Sequence, residues 1–268
     1  MTTSTPTKRK STSPPRNPDT AEMTQFTGRL ATYGFPPRMP QRTFQTREMS
    51  MVSDIVSVIA RNNEVGLIDG APGLGKTCAA IHAAQALNVP AVYLAISTNP
   101  DPNDIHRMLL TAIQGTRATG SRVSMEAQLF DLLPQWGGLI VVDEAQYLRY
   151  RGIQTLRYLH ADGASRCSML LAGWEAKKIV NKHEDLASRI AITYQFTGLD
   201  DDELVPFVRT CFPSLKKIKD TEIRQMNEIY AHGMPRAWSK AVSLCSEIEQ
   251  PSFEAMTSAF LMYRGVAS

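Results

Sequence analysis

Long apolar stretches are missing from this chain. No run reaches the roughly 18 residues that a membrane-crossing helix requires, so no membrane span is expected. Nor does the basic, polar N-terminus continue into the apolar stretch of a secretory signal. Cysteine is scarce: Cys78, Cys167, Cys211 and Cys245 are widely scattered and form no close-spaced metal pattern. They read as reduced, mostly buried thiols of a cytoplasmic protein. The five histidines (His82, His106, His160, His183 and His232) form no close ligand pair, which leaves packing or surface roles. Net charge is small as well. The formal excess is +3, and residues 1–20 account for it through Lys8, Arg9, Lys10 and Arg16 against Asp19. The remaining body is formally neutral, so bulk charge does not mark a nucleic-acid binder. Any basic surface must be local, or lie in the tail.

What is present is ordinary globular material, 43% hydrophobic and 21% charged over 268 residues, enough for one or two domains. Residues 1–20 are rich in Ser, Thr, Pro and basic groups and have almost nothing to bury. They are expected to form a disordered tail, because burial cannot offset the entropy of ordering them. Residues 21–45 carry Pro36, Pro37 and Pro40 and read as an extended approach segment.

From residue 46 to about 60, Met51, Ile55, Val56, Val58 and Ile59 predict an amphipathic helix. Strands are then predicted at 65–69, 91–97, 139–142, 168–172 and 191–196, with helices at 78–87, 104–113 and 125–133 between them. Apolar strands separated by helices indicate an α/β core, residues 46–198, built on a five-stranded parallel sheet. Beyond Gly198 only helical patterns remain, at 201–210, 221–231, 236–247 and 252–263, so residues 199–268 form a small helical lid. Trp136 and Trp238 are assigned to packing of the core or lid.

The most specific feature is Gly70-Ala71-Pro72-Gly73-Leu74-Gly75-Lys76-Thr77, placed after a strand and before a helix. It fits the pattern in which glycines let backbone N–H groups cradle phosphates. Lys76 would reach the β- and γ-phosphates and Thr77 would ligate Mg2+, while Cys78 follows at the helix start. A second half-site ends the third strand at Asp143 and Glu144. Asp143 suits the Mg2+ shell, and Glu144 is placed to polarise an attacking water. Two arginines are candidates for the transition-state charge, Arg189 before the fifth strand and Arg236 at a lid-helix start. By residue type alone, either is more often a surface ion-pair partner.

These motifs resemble those of the AAA+ ATPases. GAPGLGKT and LIVVDEAQYL match the Walker A and Walker B motifs of that family, over a likeness running from about residue 43 onward. Ser188-Arg189 looks like the arginine-finger segment and Gly233-Met-Pro-Arg236 like the sensor-2 helix start. The resemblance implies an AAA+ P-loop core binding ATP and Mg2+ between subunits, with Arg189 supplied by the neighbour. One departure stands out: Trp174 falls where the family usually has a polar sensor-1 residue, which implies slow hydrolysis.

Within the family, DEAQYL, AGWEAKKIV and the short lid are most similar to the transposon target-DNA-binding ATPases, the group of Mu B, TniB and TnsC. That likeness implies an ATP-dependent homo-oligomer, a helical filament or ring on double-stranded DNA, with a transposase and a targeting protein as partners. The DEAQ sequence also occurs in ATPases resembling secretion-associated remodellers and in replication initiators or helicase loaders. A nucleotide-gated scaffold with little turnover is a further alternative. For DNA, the polar loop at 114–122 offers Arg117, Thr119 and Arg122, with Arg107 on the preceding helix. Arg149 and Arg151 lie in a second basic segment after Walker B. No base-reading motif is present, so binding is expected to be sequence-independent and salt-sensitive.

Overall fold

The computed structural model describes residues 30–33, 39–97, 102–148, 150–161 and 166–265; the tail expected at 1–20 lies outside them. The chain opens with β1 (Leu30–Tyr33) and α1 (Arg47–Asn62). Thr46 caps α1 by accepting from the Met49 N–H at 3.1 Å, a bond worth about 1 kcal/mol. Met49, Val52, Ile55, Val56 and Ile59 are its buried face, and Asn63 ends it in the left-handed conformation at φ 55°.

Alternation then follows as β2 (Val65–Asp69), α2 (Lys76–Ala86), β3 (Ala91–Ala95), α3 (Pro102–Gln114), α4 (Arg122–Trp136) and β4 (Leu139–Asp143). After a 3-10 turn at Ala145–Tyr147 come α5 (Tyr150–Ala161), β5 (Ser168–Gly173), the short α6 (Ala176–Val180) and α7 (Glu184–Ala187), and β6 (Ile190–Gln195). All paired strands run parallel, in the order β1-β3-β4-β5-β2-β6. β2, β4 and β5 are buried along their whole length, as expected of strands covered on both faces.

The sheet has six strands, one more than the sequence pattern indicates. The extra one is β1, which pairs with Ala91–Leu94 of β3 at the sheet edge. Only four residues long and alternately buried and half-buried, it carries too little apolar signal to stand out beside the prolines that follow. Helix α5 is a second addition, since the basic residues after Walker B mask the apolar spacing of that segment.

One face of the sheet packs against α3, α4 and α5 through Ile105, Leu109, Met125, Leu129, Ile153 and Leu156. The other packs against α1 and α2 through Val52, Ile59, Ala80 and Ala84. Beyond β6, α8 (Asp201–Cys211), α9 (Asp220–Met226), a π-helical turn (Asn227–Ala231), α10 (Pro235–Leu244) and α11 (Phe253–Gly265) enclose a third core. Trp238 and Phe260 are its fully buried centre, edge-on at 5.1 Å, and burying Phe260 alone contributes about 1.5–3 kcal/mol. Trp238 is thus packing, as its place in the sequence suggests, and Trp136 is half-buried against the α3–α5 layer. Among the described residues, no helix is long and apolar enough to cross a membrane.

Candidate nucleotide site

β2 delivers the chain at the carboxyl edge of the sheet, and the glycines of the following loop each have a local reason. Gly73 and Gly75 have φ of +92° and +109°, where a side chain would be strained. A Cβ on Gly70 would lie 2.7 Å from the Phe196 side chain, so β6 leaves space only for hydrogen. Gly75 caps α2 without a side-chain acceptor, leaving the first N–H groups of the helix directed outward at its positive end. That arrangement is an anion cradle.

Lys76 is only 8% exposed, and its Nζ donates to the carbonyls of Gly70 at 2.6 Å and Ala71 at 2.9 Å. Burial pulls its ammonium below the ordinary lysine range; Asp143, Glu144 and Asp69 pull the other way. A phosphate arriving at the loop would take over these two donor bonds and complete the charge balance.

Strand order puts the second half-site within reach. β5 lies between β2 and β4, so Asp143 at the end of β4 faces the start of α2 across one strand. Thr77 Oγ1 donates to Asp143 Oδ2 at 2.6 Å, and Asp143 Oδ1 accepts from the Glu144 N–H at 2.9 Å. Asp143 is 4% exposed. A further donor was invisible in the sequence: the hydroxyl of Tyr93, on neighbouring β3, also reaches Asp143 Oδ2 at 2.6 Å. Burial first, and then the Asp143 charge and hydrogen bond, push this phenol well above its ordinary range, so it stays a neutral donor. Thr77 Oγ1 and Asp143 are hard oxygen donors side by side next to the phosphate cradle, a set suited to Mg2+.

Glu144 turns off the strand end with φ 57°, unusual for a residue with a side chain. Its exposed carboxylate accepts from Gln146 Nε2. Gln146 Oε1 in turn accepts from the Trp174 N–H at 3.1 Å, just past β5. The Trp174 ring is 52% exposed at the rim.

These groups border a cleft of about 1340 Å3. Pro72 to Cys78 form one wall, while Gly70 and Ala71 serve by holding Lys76. Sequence reasoning missed the other walls: residues 39–44 before α1, and Phe207, Cys211 and Phe212 from α8 and just beyond it. Their apolar side chains suit a flat aromatic base, but only the folded chain brings them to the loop.

Of the two candidate arginines, Arg236 lies in the cleft wall. Its N–H donates to Gly73 O at 3.2 Å, and a Cβ on Gly73 would sit 3.1 Å from its own Cβ. Arg189 is elsewhere. It precedes Ile190, which pairs with Val65 at the start of β2, so it occupies the amino edge of the sheet near His160. Arg107 lies on α3, Arg117 and Thr119 in the exposed loop after it, Arg122 at the first turn of α4 and Arg151 at the first turn of α5. None of these four arginines borders the cleft. Arg149 is outside the described residues.

Residues 59–176 match a family model described as AAA domain. The Orc1 protein of Aeropyrum pernix, solved in complex with DNA, superposes over 82% of this chain with a TM-score of 0.66 at 17% identity. Cdc6p from Pyrobaculum aerophilum superposes over 78%, with a TM-score of 0.62, also at 17% identity. The fold is that of an AAA+ P-loop core. This chain spans 66% and 63% of the lengths of those two proteins. The AAA+ likeness extends to the RuvB Holliday junction branch migration motor of Thermotoga maritima, at 13% identity, with a TM-score of 0.52 over 80% of this chain and 68% of that one. No curated protein sequence matches the chain.

Proposed function

We propose that this chain binds and slowly hydrolyses ATP, and uses the nucleotide to assemble on double-stranded DNA as a regulator of transposition. The observation that carries the ATPase reading is the meeting of the two half-sites, with Thr77 bonded to Asp143 and buried Lys76 beside the same cradle. Lys76 and the N–H groups at the start of α2 hold the β- and γ-phosphates. Thr77 and Asp143 would hold Mg2+, which supplies charge neutralisation at the phosphate oxygens. Glu144 orients the water and accepts its proton, while Arg236 approaches from the lid. Arg189, remote from its own cleft, is free to serve the cleft of an adjoining copy, which makes the working unit an oligomer.

The transposition reading rests on the DEAQYL and AGWEAKKIV segments and the short lid. The DNA surface is the layer of α3, α4 and α5 with its arginines, and the partners are a transposase and a targeting protein.

Electron microscopy of the purified protein with duplex DNA, with and without a slowly hydrolysed ATP analogue, tests the proposal. Nucleotide-dependent filaments or rings threaded by DNA are the expected result. Bare DNA in both conditions, with ATP turnover intact, would instead assign the protein to loaders or remodellers acting on protein partners. No turnover at all would leave a nucleotide-gated scaffold.

A further inference from the structure

Resting on the reading of Glu144 as the water-orienting base, we infer that Gln146 is its positioning residue and takes over the polar link between β4 and β5 that Trp174 cannot make. Three observations converge on Gln146. Its amide is used at both ends: Nε2 donates to the Glu144 carboxylate and Oε1 accepts the Trp174 N–H at 3.1 Å. Tryptophan has no side-chain acceptor, and here it is the Trp174 backbone N–H that bonds to Gln146. The amide fills that need from the adjacent 3-10 turn, Ala145–Tyr147.

Second, β5 is shaped to admit it. A Cβ on Gly173 would lie 2.3 Å from Gln146 Oε1, so the strand has to end in glycine for the amide to reach Trp174 N–H. Third, Glu144 leaves β4 in a left-handed conformation that costs of order 1–3 kcal/mol and persists only where surrounding contacts hold it. The Glu144 backbone is held by its N–H bond to Asp143 Oδ1 at 2.9 Å, and the hydrogen bond to Gln146 holds its carboxylate. An exposed carboxylate on a strained backbone would otherwise sample several rotamers, and misplacing a catalytic group by about 1 Å can cost roughly 100-fold in rate. The relay from Trp174 N–H through Gln146 to Glu144 removes that freedom. It also ties the base to the end of β5, which hydrogen-bonds to the phosphate loop through Gly173 O and Gly70 N–H at 3.2 Å.

The test compares Gln146→Glu, Gly173→Ala and Glu144→Gln in full-length protein. Gln146→Glu keeps the acceptor for Trp174 N–H but replaces the donor to Glu144 with a like charge. It should lower kcat about 10- to 100-fold while binding of a fluorescent ATP analogue, KM and thermal stability stay near wild type. Gly173→Ala leaves both side chains in place but displaces the amide, and should reproduce the loss. In a Glu144→Gln background, Gln146→Glu should add no further loss, because Gln146 acts only through Glu144. Wild-type kcat in Gln146→Glu, or an undiminished further loss in the double variant, would overturn the relay and leave the base assignment standing. Wild-type turnover in Glu144→Gln would overturn the base assignment itself.

Discussion

The cleft and the arginine-bearing helical layer hold their charges in opposite ways. In the cleft, Lys76, Thr77, Tyr93 and Asp143 are bonded to one another or to the loop at 2.6–2.9 Å, and Lys76, Tyr93 and Asp143 are buried. On the layer of α3, α4 and α5, Arg117, Arg122 and Arg151 stand exposed on separate elements. Arg122 has an ion pair with Glu126 at 3.8 Å, on a side chain 53% exposed, which water and salt screen to little net worth. Under the proposed function, the contrast is one of chemical demand. Phosphoryl transfer needs charges fixed to fractions of an ångström, whereas following a phosphate backbone needs only charge at suitable spacing.

If the contrast holds, the largest effects come from the cleft. Glu144→Gln should reduce kcat by about 10²–10⁴-fold in a steady-state ATPase assay while ATP binding persists and the ATP-bound oligomer accumulates. Lys76→Ala should weaken ATP binding itself, by roughly 10- to 100-fold in titration with a labelled nucleotide, and no oligomer should form. Tyr93→Phe comes next. Loss of a donor to a buried carboxylate should destabilise the nucleotide-free protein by about 1–3 kcal/mol in chemical denaturation, with Mg2+ restoring part of it. A Tyr93→Phe protein as stable as wild type would show that the hydroxyl is not needed by Asp143.

Smaller effects belong to the exposed layer. Arg117→Ala with Arg122→Ala should leave ATPase activity without DNA unchanged and weaken duplex binding uniformly across sequences. The slope of log affinity against log salt should fall by about 2, roughly one for each arginine withdrawn from a phosphate. An unchanged slope would move the proposed DNA-binding surface to Arg151 or to residues 1–20.

The smallest effect sits at the amino edge. His160 Nε2 lies 2.9 Å from Asn63 O, and Nδ1 is buried without a partner. Burial therefore holds the imidazole below its ordinary value, against the pull of the Asn63 bond and with some help from Arg189. The unfolded chain takes up this proton first, so the contribution is complete above about pH 6.5 and is lost as pH falls through the lowered folded value. His160→Gln should flatten that part of the stability curve, measured as denaturation midpoints at pH 7.5 and 5.5.

Legibility in the sequence follows the range of the interactions. The loop from Gly70 to Thr77 and the Asp143-Glu144 pair are local patterns with steep chemical requirements, and the folded chain brings them together. The lid helices are visible too, because α8, α10 and α11 carry their apolar residues at helical spacing. β1 is hidden because four edge residues, two buried and two half-buried, are too few to show a periodicity, and α5 because its basic start obscures the spacing of Ile153, Leu156 and Leu159. Tyr93 and Gln146 become meaningful only through strand order, which sets β3 and β5 on either side of β4. The walls from residues 39–44 and from Phe207, Cys211 and Phe212 depend on the lid folding back, which joins segments far apart in the chain that no local pattern encodes.

The lid is joined to the phosphate loop by more than shared space. Arg236 N–H bonds to Gly73 O, and Gly198 and Gly233 approach so closely that a Cβ on either would strike the other segment's backbone at 2.7–2.8 Å. The junction therefore has no room for a side chain at either glycine, and the Arg236–Gly73 bond couples the start of α10 directly to the loop.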